Sequence, residues 1–140
     1  MEIFINIPGF HDKVNFVDDN NVVLGYDLSQ RCCEQAGWYI SKKIENFDGD
    51  IKDYEHKDID NGVLYNLRLG CYTFDVTYFN DETDFYGIPL VIFKLIPNPN
   101  ITSDSDRLPP LYLHLYNCHN GYYSHGFNFF SGQSIKTGNI

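Results

Sequence analysis

The stretch LYLHLYNCHNGYYSHGFNFF, residues 111–130, constrains the fold more than any other part of the chain. Leucine recurs at every second position from Leu111 to Leu115, and phenylalanine does the same at Phe127 and Phe129. A period of two marks a strand with one buried face. Asn120-Gly121 between the two runs predicts a β-hairpin. The faces choose its register. A two-residue turn would set Leu113 opposite Asn128 and mix the faces. A three-residue loop, His119-Asn120-Gly121, pairs Cys118 with Tyr122 and places Leu111, Leu113 and Leu115 with Phe129, Phe127 and His125. A one-residue slip exchanges faces, so the segregated register is expected, with Gly121 at positive φ. Tyr112, His114 and Tyr116 then share the other face. That face reads either as a polar-aromatic binding surface or as a half-exposed sheet face where Tyr is simply a good strand former.

Composition agrees with strands. The chain has 140 residues, of which 11 are Tyr and 11 Phe, and this aromatic content excludes wholesale disorder. The length suits one domain over residues 1–140 with a real core. The net charge is −9 and only Lys42-Lys43 are adjacent cations, so no basic stripe tracks a phosphate backbone. Neither nucleic acid nor an anionic membrane is an expected partner. An acidic chain could instead imitate nucleic acid, although scattered carboxylates ordinarily make a solvated surface. The N-terminus lacks the pattern of a signal peptide, and no stretch has the length of a membrane span. Four cysteines, two of them adjacent, do not resemble a secreted disulfide framework, so a cytoplasmic protein with reduced thiols is expected.

Along the chain, Glu2 to Ile7 alternates and stops at Pro8-Gly9, a short strand. Residues 10–21 are polar and end in a turn at Asp18-Asp19-Asn20-Asn21, and Val22 to Tyr26 is the next strand. Asp27 to Gly37 carries a capping-box spacing from Asp27 to Gln30 and a possible helix C-cap at Gly37, which favours one or two helical turns. The competing reading is a strand or tight loop running into Trp38-Tyr39-Ile40. Residues 45–62 read as an acidic loop. Apolar residues fall on odd numbers from Val63 to Leu69 and on even numbers from Tyr72 to Tyr78, so a bulge or break is expected at Gly70. Asn80 to Asp84 reads as an acidic turn. Ile88 to Ile96 is apolar on both faces except at Lys94, as in the most buried strand. Residues 97–110 read as a mobile loop, and Ser131 to Ile140 as a polar tail. The expected fold is β-rich α+β: a mainly antiparallel sheet of about six or seven strands, counted from these patterns, curled around an aromatic core with at most short helices. An all-β roll or barrel is the alternative.

Two segments are distinctive together: Gln30-Arg31-Cys32-Cys33-Glu34 and Asn120-Gly121-Tyr122-Tyr123-Ser124. The pair resembles an uncharacterised family of small phage and bacterial proteins that carry Gln-Asp-Cys-Cys-Glu early and Ser-Asn-Gly-Tyr-Tyr-Ser in a hairpin near the C-terminus. The resemblance spans roughly residues 22–130, with close matches only in these two segments. The chain departs from the pattern with Arg31 in place of Asp, Ser29 in place of a frequent His, and His119 in place of Ser. No activity is attached to that family, so the resemblance implies a phage or bacterial origin and residues to watch.

Cys32-Cys33-Glu34 could hold a thiol nucleophile with His119 or His125 as base, which would require a lowered thiol pKa. The plainer reading has the two thiols pointing to different faces, one into the core. A zinc site from Cys32, Cys33, Cys118, His119 or His125 lacks the spacing that lets neighbouring ligands converge, and Asp48-Gly49-Asp50 lacks the calcium-loop pattern. No phosphate-binding or hydrolase motif is present. The expectation is therefore a small non-enzymatic binding protein without a cofactor or metal, acting on a host protein or small ligand. The alternative is a thiol- or metal-dependent enzyme centred on Cys32 and Cys33. No catalytic residue is assigned. The expected binding residues are Cys32, Cys33, Glu34, Asn120, Tyr122, Tyr123 and Ser124, brought together by Glu34 accepting hydrogen bonds from backbone N–H groups or a tyrosine hydroxyl near the turn.

Overall fold

The computed structural model describes residues 1–6, 13–42, 69–83, 88–101, 108–118 and 123–140. Within them lie β1 (Glu2–Asn6), β2 (Lys13–Val17), β3 (Val23–Asp27), β4 (Gln35–Ser41), β5 (Tyr72–Phe74), β6 (Asn80–Thr83), β7 (Pro89–Pro97), β8 (Leu111–Cys118), β9 (Gly126–Ser131) and β10 (Gln133–Asn139). One 3-10 turn, Leu69–Cys71, is the only helical element among the described residues. The strands form two antiparallel sheets, ordered β1-β2-β3-β9-β10 and β4-β8-β7-β5, with β6 also on β7. This is the expected β-rich architecture around aromatic side chains, divided between two sheets, and neither closes into a barrel.

The core lies between the sheets. Phe129 of β9 meets Phe93 of β7 at 5.0 Å and Phe74 of β5 at 5.1 Å, both edge to face. Phe16 of β2 meets Trp38 of β4 in the same manner at 5.0 Å. Aromatic quadrupoles favour this geometry, and rings of this size dominate the apolar area removed from water. A polar stitch crosses the same core: the Tyr26 hydroxyl donates to the Tyr116 carbonyl at 2.7 Å. Burial drives the Tyr26 phenol far above its usual range, with further contributions from Tyr116 and Asp27, so it remains a donor.

The hairpin expected over residues 111–130 is corrected. β8 is occupied on one side by β4 and on the other by β7, while β9 pairs with β3 and β10. Cys118 is opposite Gln35, and the expected loop residues 119–122 lie outside the described residues, Gly121 among them. The face assignment holds: Leu111, Leu113, Leu115, Phe127, Phe129 and His125 are all buried. They meet across the gap between sheets instead of along one ladder. The opposite face of β8 is also a core. His114 and Tyr116 are buried there with Tyr39, Leu90 and Ile92, and Tyr112 packs against that cluster, so this face is no open binding surface.

Other expectations divide similarly. The break at Gly70 is present, as the 3-10 turn that ends in β5. The odd-numbered run before it, from Val63, lies outside the described residues except for Leu69. β5 is shorter than the even-numbered pattern implied, and Val76 is exposed beyond it. β7 is the buried strand read from the sequence, with Leu90 to Phe93 fully enclosed. Residues 80–83 form β6 where an acidic turn was expected, and the polar tail is β10, which turns back from β9 through Gly132 at φ 68°. β2 was hidden in a polar stretch, yet its Val14 and Phe16 alternate into the core. Of the 97–110 loop, residues 98–101 form a turn in which Asn98 accepts from Ile101, and 102–107 lie outside the described residues.

Asp18, at the end of β2, joins the sheets. Its Oδ1 accepts from the N–H groups of Asn20 and Val22, each at 2.9 Å, which closes the turn that places Asn21 at φ 58°. Its Oδ2 accepts from the Thr73 hydroxyl and from Phe74 N–H on β5. A carboxylate that is 3 % exposed is tolerated because four donors replace its water.

Candidate functional site

The chain crosses from the first sheet to the second through residues 28–34. The capping spacing from Asp27 to Gln30 does not start a helix. Asp27 Oδ1 accepts from Ser29 N–H at 2.9 Å, an Asx turn that competes with helix for the same donors. Gly37, the proposed C-cap, is a strand residue opposite Tyr116; a Cβ there would sit 2.3 Å from the Tyr116 hydroxyl. The glycine leaves room for that ring, and the loop-into-strand reading is the one realised.

Glu34 holds the loop. Its Oε1 accepts from Arg31 N–H at 2.6 Å and its Oε2 from Cys32 N–H at 2.9 Å, so the carboxylate folds the backbone of 31–34 around itself. The third partner is remote in sequence: His125 Nε2 lies 3.3 Å from Oε1. His125 Nδ1 donates to the Asp27 carbonyl at 2.7 Å, which fixes the ring from the other side. Both side chains are about 1 % exposed. Burial pushes the Glu34 carboxyl up, but the backbone N–H groups of Arg31, Glu34 and Cys32 and the His125 ring outweigh it and hold the group at about 2. Asp27 also lies below its usual range: burial raises it, while Ser29, His125 and Arg31 together lower it further.

His125 is in turn set by the chain end. Its N–H donates to the Ile140 carbonyl at 2.7 Å and its carbonyl accepts from Ile140 N–H at 3.0 Å. Asn117, buried at the end of β8, donates from Nδ2 to the Ile140 and Tyr123 carbonyls at 3.0 and 2.9 Å. Residues 123–125 are thus clamped between β8 and Ile140, which follows β10.

Of the residues singled out in the sequence, Cys32, Cys33, Glu34, Tyr123 and Ser124 therefore share one end of the molecule, joined by Glu34–His125 and by Gln35 pairing with Cys118. Asn120 and Tyr122 lie outside the described residues. Glu34 accepts from backbone N–H groups as expected, but from its own turn and from His125. Cys32 and Cys33 are both exposed, which corrects the expectation that one fills the core. The Cys33 thiol, by hydrogen bond and charge, pushes the Cys32 thiol above its usual range. A concavity of about 140 Å³ lies beside the Glu34–His125 pair, lined by Leu28, Gln30, Glu34, Gln35, Ala36 and His125. Gln30 belonged to the first distinctive segment without an expected binding role, and Leu28, Gln35 and Asn117 had no signal in the sequence beyond their neighbourhood to the two segments. Among the described residues, no three His, Cys, Asp or Glu side chains converge as a metal site, and no helix is long and apolar enough to cross a membrane.

Comparisons of the chain with protein-family models, curated proteins and solved structures give no match.

Proposed function

We propose that the protein is a non-enzymatic binding protein whose recognition site is the end formed by residues 28–35 and 123–125. The carrying observation is the concavity beside the buried Glu34–His125 pair, with Cys32, Cys33, Tyr123 and Ser124 exposed on the same two segments. A recessed polar floor with exposed tyrosine and small polar groups suits recognition of a small polar ligand or a side chain of a partner protein. Rigidity favours it too, since a loop fixed before binding loses less entropy on binding.

Two features favour binding over thiol catalysis. A nucleophilic cysteine needs a lowered thiol pKa, and that of Cys32 is raised. A general base needs a free lone pair, and His125 commits Nδ1 to a carbonyl and Nε2 to Glu34. The phage or mobile-element setting rests on the two segments' resemblance, and a cytoplasmic location with a host protein or small ligand as partner belongs to the same proposal.

The test is NMR titration of reduced, isotope-labelled protein with a library of small polar molecules and with fractionated host proteins. Perturbations centred on residues 28–35 and 123–125, weakened by Gln35→Ala or Tyr123→Ala with folding retained, are expected. Binding centred elsewhere, or unaffected by these substitutions, overturns the reading.

A further inference from the structure

The core accommodates neither Cys32 nor Cys33, so apolar burial does not account for the pair. Their backbone, however, is tied to the walls of the concavity. Cys32 N–H donates to Glu34 Oε2 at 2.9 Å, and the Cys32 carbonyl accepts from Gln30 Nε2 at 3.2 Å. Gln30 and Glu34 both line the concavity, and Glu34 continues to His125. A backbone change at Cys32 is therefore passed to both walls, through its carbonyl in the Cys32–Cys33 peptide to Gln30 and through its N–H in the preceding peptide to Glu34 and the buried pair.

We propose that Cys32 and Cys33 form a reversible intramolecular disulfide whose closure withdraws the Cys32 peptide from Glu34 and Gln30 and reshapes the concavity. This rests on the binding-site reading above and describes the regulation of that site. The oxidant is a low-molecular-weight disulfide. One cysteine, as thiolate, attacks it, forms a mixed disulfide and releases a small thiolate that takes up a proton. The second cysteine, as thiolate, attacks the cysteine sulfur of that mixed disulfide and expels the other small thiol. Two protein S–H bonds are exchanged for one protein S–S bond, and the small disulfide is reduced to two thiols.

Geometry makes this bond a switch and not a staple. A disulfide holds its Cβ atoms about 3.8 Å apart with a dihedral near ±90°. Residues joined by a single peptide reach that arrangement only if the intervening backbone leaves its relaxed form. The strained, exposed bond is readily reduced, as suits a transient disulfide in a reducing compartment. The raised Cys32 thiol slows the step in which Cys32 is the attacking thiolate.

The experiment incubates the full chain with mixtures of oxidised and reduced glutathione. Free thiols are counted in denaturant, the bridge is mapped by mass spectrometry, and NMR follows the Arg31 and Cys32 amides and the His125 ring. Titratable thiols should fall from the four present to two. The mass should drop by two hydrogens, the bridge should map to Cys32–Cys33, and the amide and His125 signals should shift and return on reduction. Cys32→Ser and Cys33→Ser should keep the folded spectrum and stop at the mixed disulfide. A bridge to Cys71 or Cys118, wild-type protein that stops at mixed disulfides, or a Cys32–Cys33 bridge that leaves the His125 ring unmoved overturns the proposal. None of these outcomes bears on the ligand titration, which uses reduced protein.

Discussion

Glu34 Oε1 lies 3.3 Å from Nε2 of His125, 91 residues further along the chain. This contact ties the loop between β3 and β4 to the segment before β9, and so ties one sheet to the other at the end where the exposed cysteines and Tyr123 stand. Both partners are buried, so neither finds water if the other is lost.

Acid should loosen this end at a pH set by Glu34. Its carboxyl is held at about 2 in the folded chain against an ordinary value of 4.5. A depressed carboxyl contributes stability that is complete above the unfolded value and is lost as pH falls from 4.5 towards 2. Amide exchange at Arg31 and Cys32, measured across that window, should accelerate as their acceptor is protonated. In Glu34→Gln, where NH2 replaces one acceptor oxygen, at least one of the two amides should lose its protection relative to the intrinsic rate at all pH values.

His114 produces a separate, earlier loss. Burial holds its imidazole at about 4 against 6.5, opposed by hydrogen bonds to the Tyr112 and Tyr39 backbones, and the ring stacks on Tyr39 at 4.3 Å. The unfolded chain takes up a proton below 6.5 that the folded chain refuses until 4. Stability should therefore fall by roughly 3 kcal/mol between these values and then cease to depend on this group. His114→Phe, which keeps the stacking, should flatten the denaturant midpoint between pH 7 and 4.

The outcome for residues 111–130 explains what the sequence could carry. Alternation of Leu111, Leu113 and Leu115 states that one face of a strand is buried. The matching phenylalanines state the same of another strand. A hairpin partner and a strand across a core satisfy both statements equally, so the faces were legible and the neighbour was not. Gly70 was legible because a change of phase needs a physical break. Asp18 was illegible as a buried group, because a carboxylate in sequence reads as solvated until its donors are placed, whereas for Glu34 the acceptor role was legible and the partner His125 was not. Beside local N–H groups, the remaining donors come from Thr73 and Phe74 in one case and His125 in the other, which no local pattern links.

Asp18 should be the least tolerant carboxylate. Asp18→Asn replaces an acceptor by an NH2 group facing donors, so up to two of Asn20 N–H, Val22 N–H, Thr73 hydroxyl and Phe74 N–H lose their partner. Each abandoned buried donor costs roughly 1–3 kcal/mol. Urea denaturation should show a large fall in midpoint, and Asp19→Asn, on the exposed side of the same turn, almost none.

The joining of the two segments is tested most directly by a double-substitution cycle on Glu34 and His125. Glu34→Gln, His125→Gln and the double variant would be compared with the unaltered chain by urea denaturation at pH 7. The account predicts strong coupling: each single change destabilises, and the second adds little once the first is made. Additive losses would mean that the two side chains do not hold each other, and would contradict the assembly of this end into one site.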